Sequence, residues 1–345
     1  MTGGNVTRRS AAAGLILLAL TGLGWWWYRA HSAERGLGEA RVLVGDRRAD
    51  AVLADLRRRH PDRPEVFLLS ARQARLAGQP GEAWGHLERA TALGADPAAV
   101  TRESLLGRPA VDFPRVRPEL DRLLAADPGD ADALLALADG ELAQGRAGVA
   151  AELADRAVRS APGDVRAVTV RGEAWMRARR LDLARADLTA AVAAGPDALA
   201  YPRARLALAT CLLDLGDFAP ALDLFRAARA ENPGDLVATF GVGRAAGHLR
   251  RLEEADEAFG AVLAARPTHV DTLLARAHVA EQRGDRPRAL EHLERAEQAD
   301  PERRETHSAL ARLLDALGYA DRATAHEARY RALEPTAAPV SGGAP

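Results

Sequence analysis

The side chains that could do chemistry are scattered along this chain and form no recognisable catalytic set. The segment His326-Glu327-Ala328-Arg329-Tyr330 begins like the zinc-binding His-Glu-x-x-His motif but ends in tyrosine, and no Gly-x-Ser-x-Gly turn occurs. Four histidines lie close together in the sequence, but no carboxylate or cysteine recurs beside them at metal-ligand spacing: His248, His269, His278 and His292. We therefore expect no catalytic residue, no metal site and no cofactor, and a protein that is not an enzyme.

The absence of some residue types excludes further chemistry. All 47 basic side chains are arginines, so a Schiff-base lysine, a phosphate loop ending in Gly-Lys-Ser/Thr and a kinase lysine are excluded. The single cysteine, Cys211, excludes an intrachain disulfide and lies in an apolar segment, which favours a core position. A formal net charge of -1 gives no general attraction for nucleic acid, so no nucleic-acid partner is expected.

Prolines recur at a fixed interval through most of the chain. They are Pro128, Pro162, Pro196, Pro233, Pro267, Pro301 and Pro335. Five of the six intervals are 34 residues long, and the exception, from Pro196 to Pro233, is 37. A period of this size predicts stacked helix–turn–helix units, each of which packs on its neighbours.

Other positions keep the same register relative to the closing proline of each unit. Twelve residues before it stands an alanine, and small residues at this spacing mark where two helices cross closely: Ala150, Ala184, Ala221, Ala255, Ala289 and Ala323. Seventeen residues before it stands a turn glycine, which Arg179 and Arg250 replace in two units. Eight residues before it, larger apolar side chains such as Phe225 and Phe259 fill the gap beside the next unit.

This arrangement resembles the tetratricopeptide repeat family, in which a small residue, a turn glycine, an alanine, a large apolar residue, an alanine and a proline recur every 34 residues. Six consecutive units over residues 131–335 carry the pattern, most clearly in Leu215–Pro233 and Arg283–Pro301. The resemblance implies an all-α fold, a right-handed superhelical array of helix–turn–helix repeats. It also implies a concave groove, lined by the first helix of each unit, that takes protein or peptide segments.

The rest of the chain extends this organisation. Residues 64–97 are predicted to form a further repeat and residues 30–63 a degenerate first repeat. Residues 98–130 are predicted to be a short degenerate repeat or linker, because three prolines interrupt them and favour a stiff loop before a helix near 118–126. The small, uncharged and proline-rich residues 336–345 are expected to be disordered.

An uncharged apolar run, Ala11–Tyr28, follows a basic tail at residues 1–10. As a helix it would be about 27 Å long, and arginines and aromatic residues flank it as they flank membrane-spanning helices. A cleaved signal peptide is the alternative, but small residues are poorly placed for cleavage. We predict a transmembrane signal-anchor helix at 11–28, with the lipid bilayer as a partner, in a single-pass protein of the bacterial inner membrane whose repeats lie in the periplasm.

The resemblance also implies which side chains face the groove. They are Arg72, Arg75, Asp139, Glu173, Arg177, Asp214, Arg244, His248, His278 and Arg312. Arginines at such positions can bind carboxylates through two hydrogen bonds. The expected function is a membrane-anchored scaffold for protein–protein interaction in the assembly of envelope complexes. The alternative is an accessory subunit that holds substrate for an envelope enzyme of polysaccharide or cytochrome assembly.

Overall fold

The computed structural model describes residues 31–333, in which helices alternate with short turns and no strand is present beyond an isolated bridge. Residues 31–43 form α1. The later helices are α2 (Arg48–Arg59), α3 (Pro64–Leu76), α4 (Pro80–Ala92), α5 (Pro97–Leu106), α6 (Pro109–Ala126), α7 (Ala131–Ala143), α8 (Ala147–Ser160), α9 (Val165–Arg177), α10 (Leu181–Ala193), α11 (Tyr201–Leu215), α12 (Phe218–Glu231), α13 (Leu236–His248), α14 (Leu252–Ala265), α15 (Val270–Gln282), α16 (Arg286–Ala299), α17 (Arg304–Ala316) and α18 (Ala320–Ala332). The predicted all-α repeat fold is confirmed.

The helices pack in consecutive pairs, and the chain divides into an N-terminal unit that ends at Ala204 and a C-terminal unit that begins at Arg205. Each odd-numbered helix from α3 to α17, α5 and α11 aside, packs most extensively against the even-numbered helix that follows it. Odd-numbered helices also contact one another across neighbouring pairs, as α7 contacts α9 in the N-terminal unit and α13 contacts α15 in the C-terminal unit. Helices α3, α5, α7 and α9 therefore form a continuous layer in the N-terminal unit, and α13 and α15 lie side by side in the C-terminal unit.

The small-residue positions of the repeat lie at the helix crossings. Ala184 in the N-terminal unit and Ala221 in the C-terminal unit are completely buried. Phe225 fills the space that Gly241 leaves open, because a Cβ atom placed on Gly241 would lie 2.4 Å from Cδ1 of the ring. Close packing of the two helices thus depends on a glycine of one helix facing a large side chain of the other.

Enlarging one of these alanines should destabilise the protein. We expect Ala221→Leu to lower the free energy of unfolding by about 1–3 kcal/mol, because the added side chain has no space at a fully buried crossing. Urea unfolding would measure the change. Ala227→Leu, at an exposed position of the same helix, is the control and should have little effect. Equal effects of the two substitutions would contradict the assigned crossing.

The turn within each pair uses left-handed backbone even where glycine is absent. Gly216 has a φ of 88°, which glycine adopts without steric cost. Arg250 occupies the equivalent position with a φ of 61°, and Arg179 does so with a φ of 60°. The packing of the helix pair therefore imposes this conformation on arginine, at a cost of about 1–2 kcal/mol.

The proline-containing segment 98–130 is helical over the stretch that its prolines predict to be a loop, and the helix predicted near 118–126 is present. It forms α5 and α6, and α6 already begins at Pro109. Asp112 has non-helical angles, φ -149° and ψ 53°, so two helical stretches meet there at a kink. Pro114 follows this kink closely, where an amide hydrogen bond is dispensable, and the helix then continues past Pro118.

A longer connection between α10 and α11 coincides with the 37-residue proline interval. Its Asp197 carbonyl accepts a hydrogen bond from the Arg47 amide at 2.8 Å, and its Leu199 amide donates to the Gly45 carbonyl at 2.9 Å. This antiparallel bridge joins the α1–α2 turn to the α10–α11 connection inside the N-terminal unit. The extra residues thus make a backbone contact between segments about 150 positions apart, which the repeat pattern did not predict.

The membrane prediction requires correction. Within residues 31–333, no helix combines the length and apolar composition needed to cross a bilayer. Even α6, which has 18 residues, contains charged side chains such as Arg115 and Glu119. The predicted anchor at 11–28 lies outside the described residues, as do the tails 1–10 and 336–345. The prediction of a single-pass inner-membrane protein with periplasmic repeats is therefore wrong on this finding.

Candidate protein-binding surfaces

In the N-terminal unit, the predicted groove residues Arg72 and Arg75 contact the buried carboxylate of Asp132. Nη2 of Arg72 lies 2.6 Å from Asp132 Oδ2, and Nη1 of Arg166 lies 2.7 Å from Oδ1. Nη2 of Arg75 lies 3.5 Å from Asp132 Oδ2, and its Nε donates to Glu103 at 3.0 Å. The side chain of Asp132 is only 2% exposed. These arginines are therefore bound internally across α3, α5, α7 and α9.

The charges of this cluster are fixed at neutral pH. Burial acts to raise the pKa of Asp132, but Arg166, Arg72 and Arg75 outweigh burial and lower it to about 2. Burial likewise acts to lower the pKa of Arg166, and Asp132 and Asp164 reverse this and raise it. The cluster is thus a set of permanent charges that neutralise one another.

A second charge cluster involves two more predicted groove residues. Nη2 of Arg203, on α11, lies 2.6 Å from Oδ1 of Asp139 and 2.5 Å from Oε2 of Glu173. Arg177, by contrast, is exposed at the end of α9. The sequence did not identify Arg203, because its partners lie 30 and 64 positions away and only the fold brings them together.

In the C-terminal unit, Arg244, His248 and His278 line one cavity of about 160 Å³. Phe259 and Val279 provide apolar walls between these polar side chains. Arg244 is half-buried, and no carboxylate of the described residues lies within 4.0 Å of its guanidinium. The structure therefore brings three of the predicted residues together around an apolar centre, and the arginine among them has no ion pair within the described residues.

The two histidines of this cavity have different surroundings. The His248 ring stacks on Phe218 with ring centroids 4.3 Å apart. Burial and then the positive charge of Arg244 lower the pKa of His248, so its ring is neutral at pH 7. Nε2 of His278 lies 2.7 Å from the side-chain amide of Gln282. Arg244 therefore contributes a permanent positive charge at this cavity.

The remaining predicted residues, Asp214 and Arg312, do not line this cavity. Both are exposed, and Arg312 pairs with Glu281 at 2.9 Å.

The sequence missed an apolar groove of about 650 Å³ in the N-terminal unit. It is lined mainly by α4 and α5, with Trp84, Leu87, Val100 and Leu105 among its side chains. Trp84 is 53% exposed, and its indole nitrogen donates to Glu88 at 2.8 Å. Trp84 does not lie at one of the positions that recur in each repeat, so the periodicity gave no reason to select it.

The described chain consists of stacked helix pairs that present clusters of side chains. This arrangement defines the class of α-helical repeat scaffolds. Residues 112–302 match the tetratricopeptide repeat model in overlapping segments, 112–165, 135–198, 169–236, 206–270 and 240–302. This match covers more than half of the chain, which therefore belongs to the tetratricopeptide repeat family. Proteins of this family are typically non-enzymatic scaffolds for protein–protein interaction.

Solved structures share this fold at low sequence identity. The chain is similar to the anaphase-promoting complex hetero-tetramer Cut9–Hcn1, with a TM-score of 0.64 and 15% identity over 84% of this chain and 57% of that chain. For PilW, described as a widely conserved type IV pilus biogenesis factor, the TM-score is 0.54, with 19% identity over 60% and 94%. For PilF of Pseudomonas aeruginosa it is 0.50, with 16% identity over 60% and 93%. No curated protein sequence matches the chain significantly.

Proposed function

We propose that this protein is an assembly scaffold whose Arg244 cavity binds an extended protein segment, with an apolar side chain in the cavity and an acidic side chain on Arg244. The observation that supports this most is that Arg244 is half-buried beside an apolar cavity and has no carboxylate partner among the described residues. A half-buried arginine of this kind gains most from a carboxylate that binds it through two hydrogen bonds.

The size and walls of the cavity agree with this partner. A volume of about 160 Å³ suits one aliphatic or aromatic side chain, since an apolar cavity of about 150 Å³ holds benzene. The neutral His248 ring and Phe218 extend the apolar surface beside it. Arg244 and His248 lie four residues apart on α13, so both reach one ligand from a rigid helix.

In the described part of the N-terminal unit, the clustered groove charges are already paired, and Arg177 is exposed at the end of α9 without a cavity beside it. Its groove arginines Arg72 and Arg75 are already bound to Asp132, and Asp139 and Glu173 are bound to Arg203. A ligand there would have to replace existing ion pairs, which costs most of the Coulomb energy that it gains. We therefore place recognition in the C-terminal unit, and we propose that the complexes assembled are those of the cell envelope, a class that includes the pili in whose biogenesis PilW takes part.

Peptides of matched sequence test this proposal. Fluorescence polarisation should show that peptides with leucine beside glutamate bind the full chain more tightly than peptides with leucine beside glutamine. Arg244→Glu should weaken the glutamate peptides about tenfold or more, because it replaces attraction by repulsion. Arg286→Glu, a charge reversal at the start of α16 outside the cavity, is the control and should bind like the parent. Equal binding by the Arg244→Glu variant would overturn the assignment.

A further inference from the structure

Three side chains from the last three helices meet at a point that the peptide cavity does not include. Glu297 lies in the last turn of α16, His307 in the first turn of α17 and His326 in the middle of α18. Their ligand atoms all lie within 4.8 Å of one another. We infer that these residues form a binding site for a divalent transition-metal ion, Zn²⁺ being the ion that two imidazoles and a carboxylate suit best.

The distances between the three ligand atoms match the face of a metal polyhedron. Nδ1 of His307 lies 3.2 Å from Nδ1 of His326 and 3.7 Å from Oε1 of Glu297. Nδ1 of His326 lies 3.6 Å from the same oxygen. Tetrahedral Zn²⁺ with bonds of about 2.0–2.2 Å requires ligand atoms about 3.3–3.5 Å apart. The ion can therefore bind with side-chain shifts of a few tenths of an ångström.

The hydrogen bonding of His307 presents the required lone pair. Its Nε2 lies 2.8 Å from the carbonyl oxygen of Pro301, which can only accept a hydrogen bond. Nε2 therefore carries a proton, so the tautomer that binds a metal ion presents its Nδ1 lone pair toward the other two ligand atoms. A backbone carbonyl that holds the opposite nitrogen is the outer contact that orients metal-binding histidines. With only 4% of its side chain exposed, His307 is fixed in this orientation.

The site has room for a further ligand and little opposing charge. The Glu297 side chain is 34% exposed and that of His326 is 15% exposed, so water can complete the coordination shell. Arg322 acts electrostatically on His326, and Glu294 holds its guanidinium at 2.8 Å. Glu297 supplies the negative charge that makes the site more favourable for a cation than two histidines alone.

The ion would add stability where the apolar core is weakest. Ala323 is the buried side chain of α18, whereas the other helices of the C-terminal unit bury more. Bonds from His326 to an ion shared with α16 and α17 would hold α18 against both. Zn²⁺ would thus stabilise the last helix pair, because a ligand bound by the native state alone shifts the folding equilibrium.

Calorimetric titration of the tag-free full chain with Zn²⁺ tests the site. We expect one saturable site in the parent and an affinity reduced about tenfold or more in Glu297→Gln and in His326→Gln. Glu327→Gln removes an adjacent exposed carboxylate, and His86→Gln removes a histidine of the N-terminal unit. Both controls should keep the parental affinity. Circular dichroism would establish that each variant is folded.

Hydrogen exchange provides a second readout that does not depend on calorimetry. Zn²⁺ should slow amide exchange in α18 of the parent and of Glu327→Gln, and should leave it unchanged in His326→Gln. Absence of saturable binding to the parent, or parental affinity in Glu297→Gln, would overturn the proposal. Because no peptide is used, failure here would leave the Arg244 cavity unaffected.

Discussion

Replacing Asp132 by asparagine should lower the free energy of unfolding of the N-terminal unit by about 3 kcal/mol. The substitution keeps the side-chain shape but removes the negative charge that Arg72, Arg75 and Arg166 surround. Loss of one member of a buried ion pair costs about 3–5 kcal/mol, and the lower end applies because the Arg72 side chain is 36% exposed and can be partly solvated. Urea unfolding followed by tryptophan fluorescence would measure it, since Trp84 and Trp175 lie in this unit.

An exposed carboxylate of the same unit provides the matched control. Asp121 pairs with Arg117 at 3.8 Å, and its side chain is 57% exposed. Asp121→Asn should therefore change stability by less than about 1 kcal/mol. If Asp121→Asn and Asp132→Asn were equally destabilising, the cluster around Asp132 would not hold the unit together as described.

The effect of Asp132 should also depend on pH in a defined direction. Its pKa is about 2 in the folded chain, against 3.8 when unperturbed. Because the folded pKa is the lower one, the contribution is complete above about pH 4 and is lost as pH falls toward 2, and it corresponds to about 2 kcal/mol. The difference in stability between the parent and Asp132→Asn should therefore shrink by about 2 kcal/mol as pH falls from about 4 to about 2. A difference that stays constant with pH would show that charge is not the cause.

The periodicity of this sequence was sufficient to predict the architecture, because each helix pair is specified by residues within one 34-residue unit. The burial of Ala221, Phe225 and Phe259 follows from the positions that these residues occupy in their repeats. The proline-rich stretch near Pro114 was misjudged, since a local rule that counts prolines does not see that one of them starts a helix after the kink at Asp112. The prediction therefore failed at one segment, where the backbone geometry of a kink rather than the repeat pattern determines the structure.

The functional surfaces were less predictable, because their chemistry depends on pairs that the repeat does not encode. Arg72 and Arg244 occupy similar positions in first helices, yet Arg72 is bound to Asp132 whereas Arg244 has no carboxylate partner among the described residues. A single repeat cannot show this difference, since the partner comes from a helix two pairs further along the chain. The same reason explains why His307 and His326, 19 positions apart, were not paired with Glu297.

Phe225→Ala should destabilise the C-terminal unit by about 3–5 kcal/mol, because Phe225 is 2% exposed and is among the largest buried side chains. A sharper test is whether substitutions of Phe225 and Gly241 have coupled effects on the free energy of unfolding. Gly241→Ala alone should cost about 1–3 kcal/mol, since its Cβ would lie 2.4 Å from the ring.

Shortening the ring should relieve this overlap. We expect the double variant Phe225→Leu/Gly241→Ala to be more stable than the sum of its single variants implies, by about 0.5–3 kcal/mol. A control cycle of Phe225→Leu with Gly234→Ala should be additive, because a Cβ on Gly234 meets only Asn232, at 3.5 Å. Urea unfolding, with hydrogen exchange to localise the change to α13, would measure both cycles. If the changes in free energy of unfolding were additive in the Gly241 cycle, the ring would move aside freely. Close packing of α12 against α13 would then not require glycine at position 241.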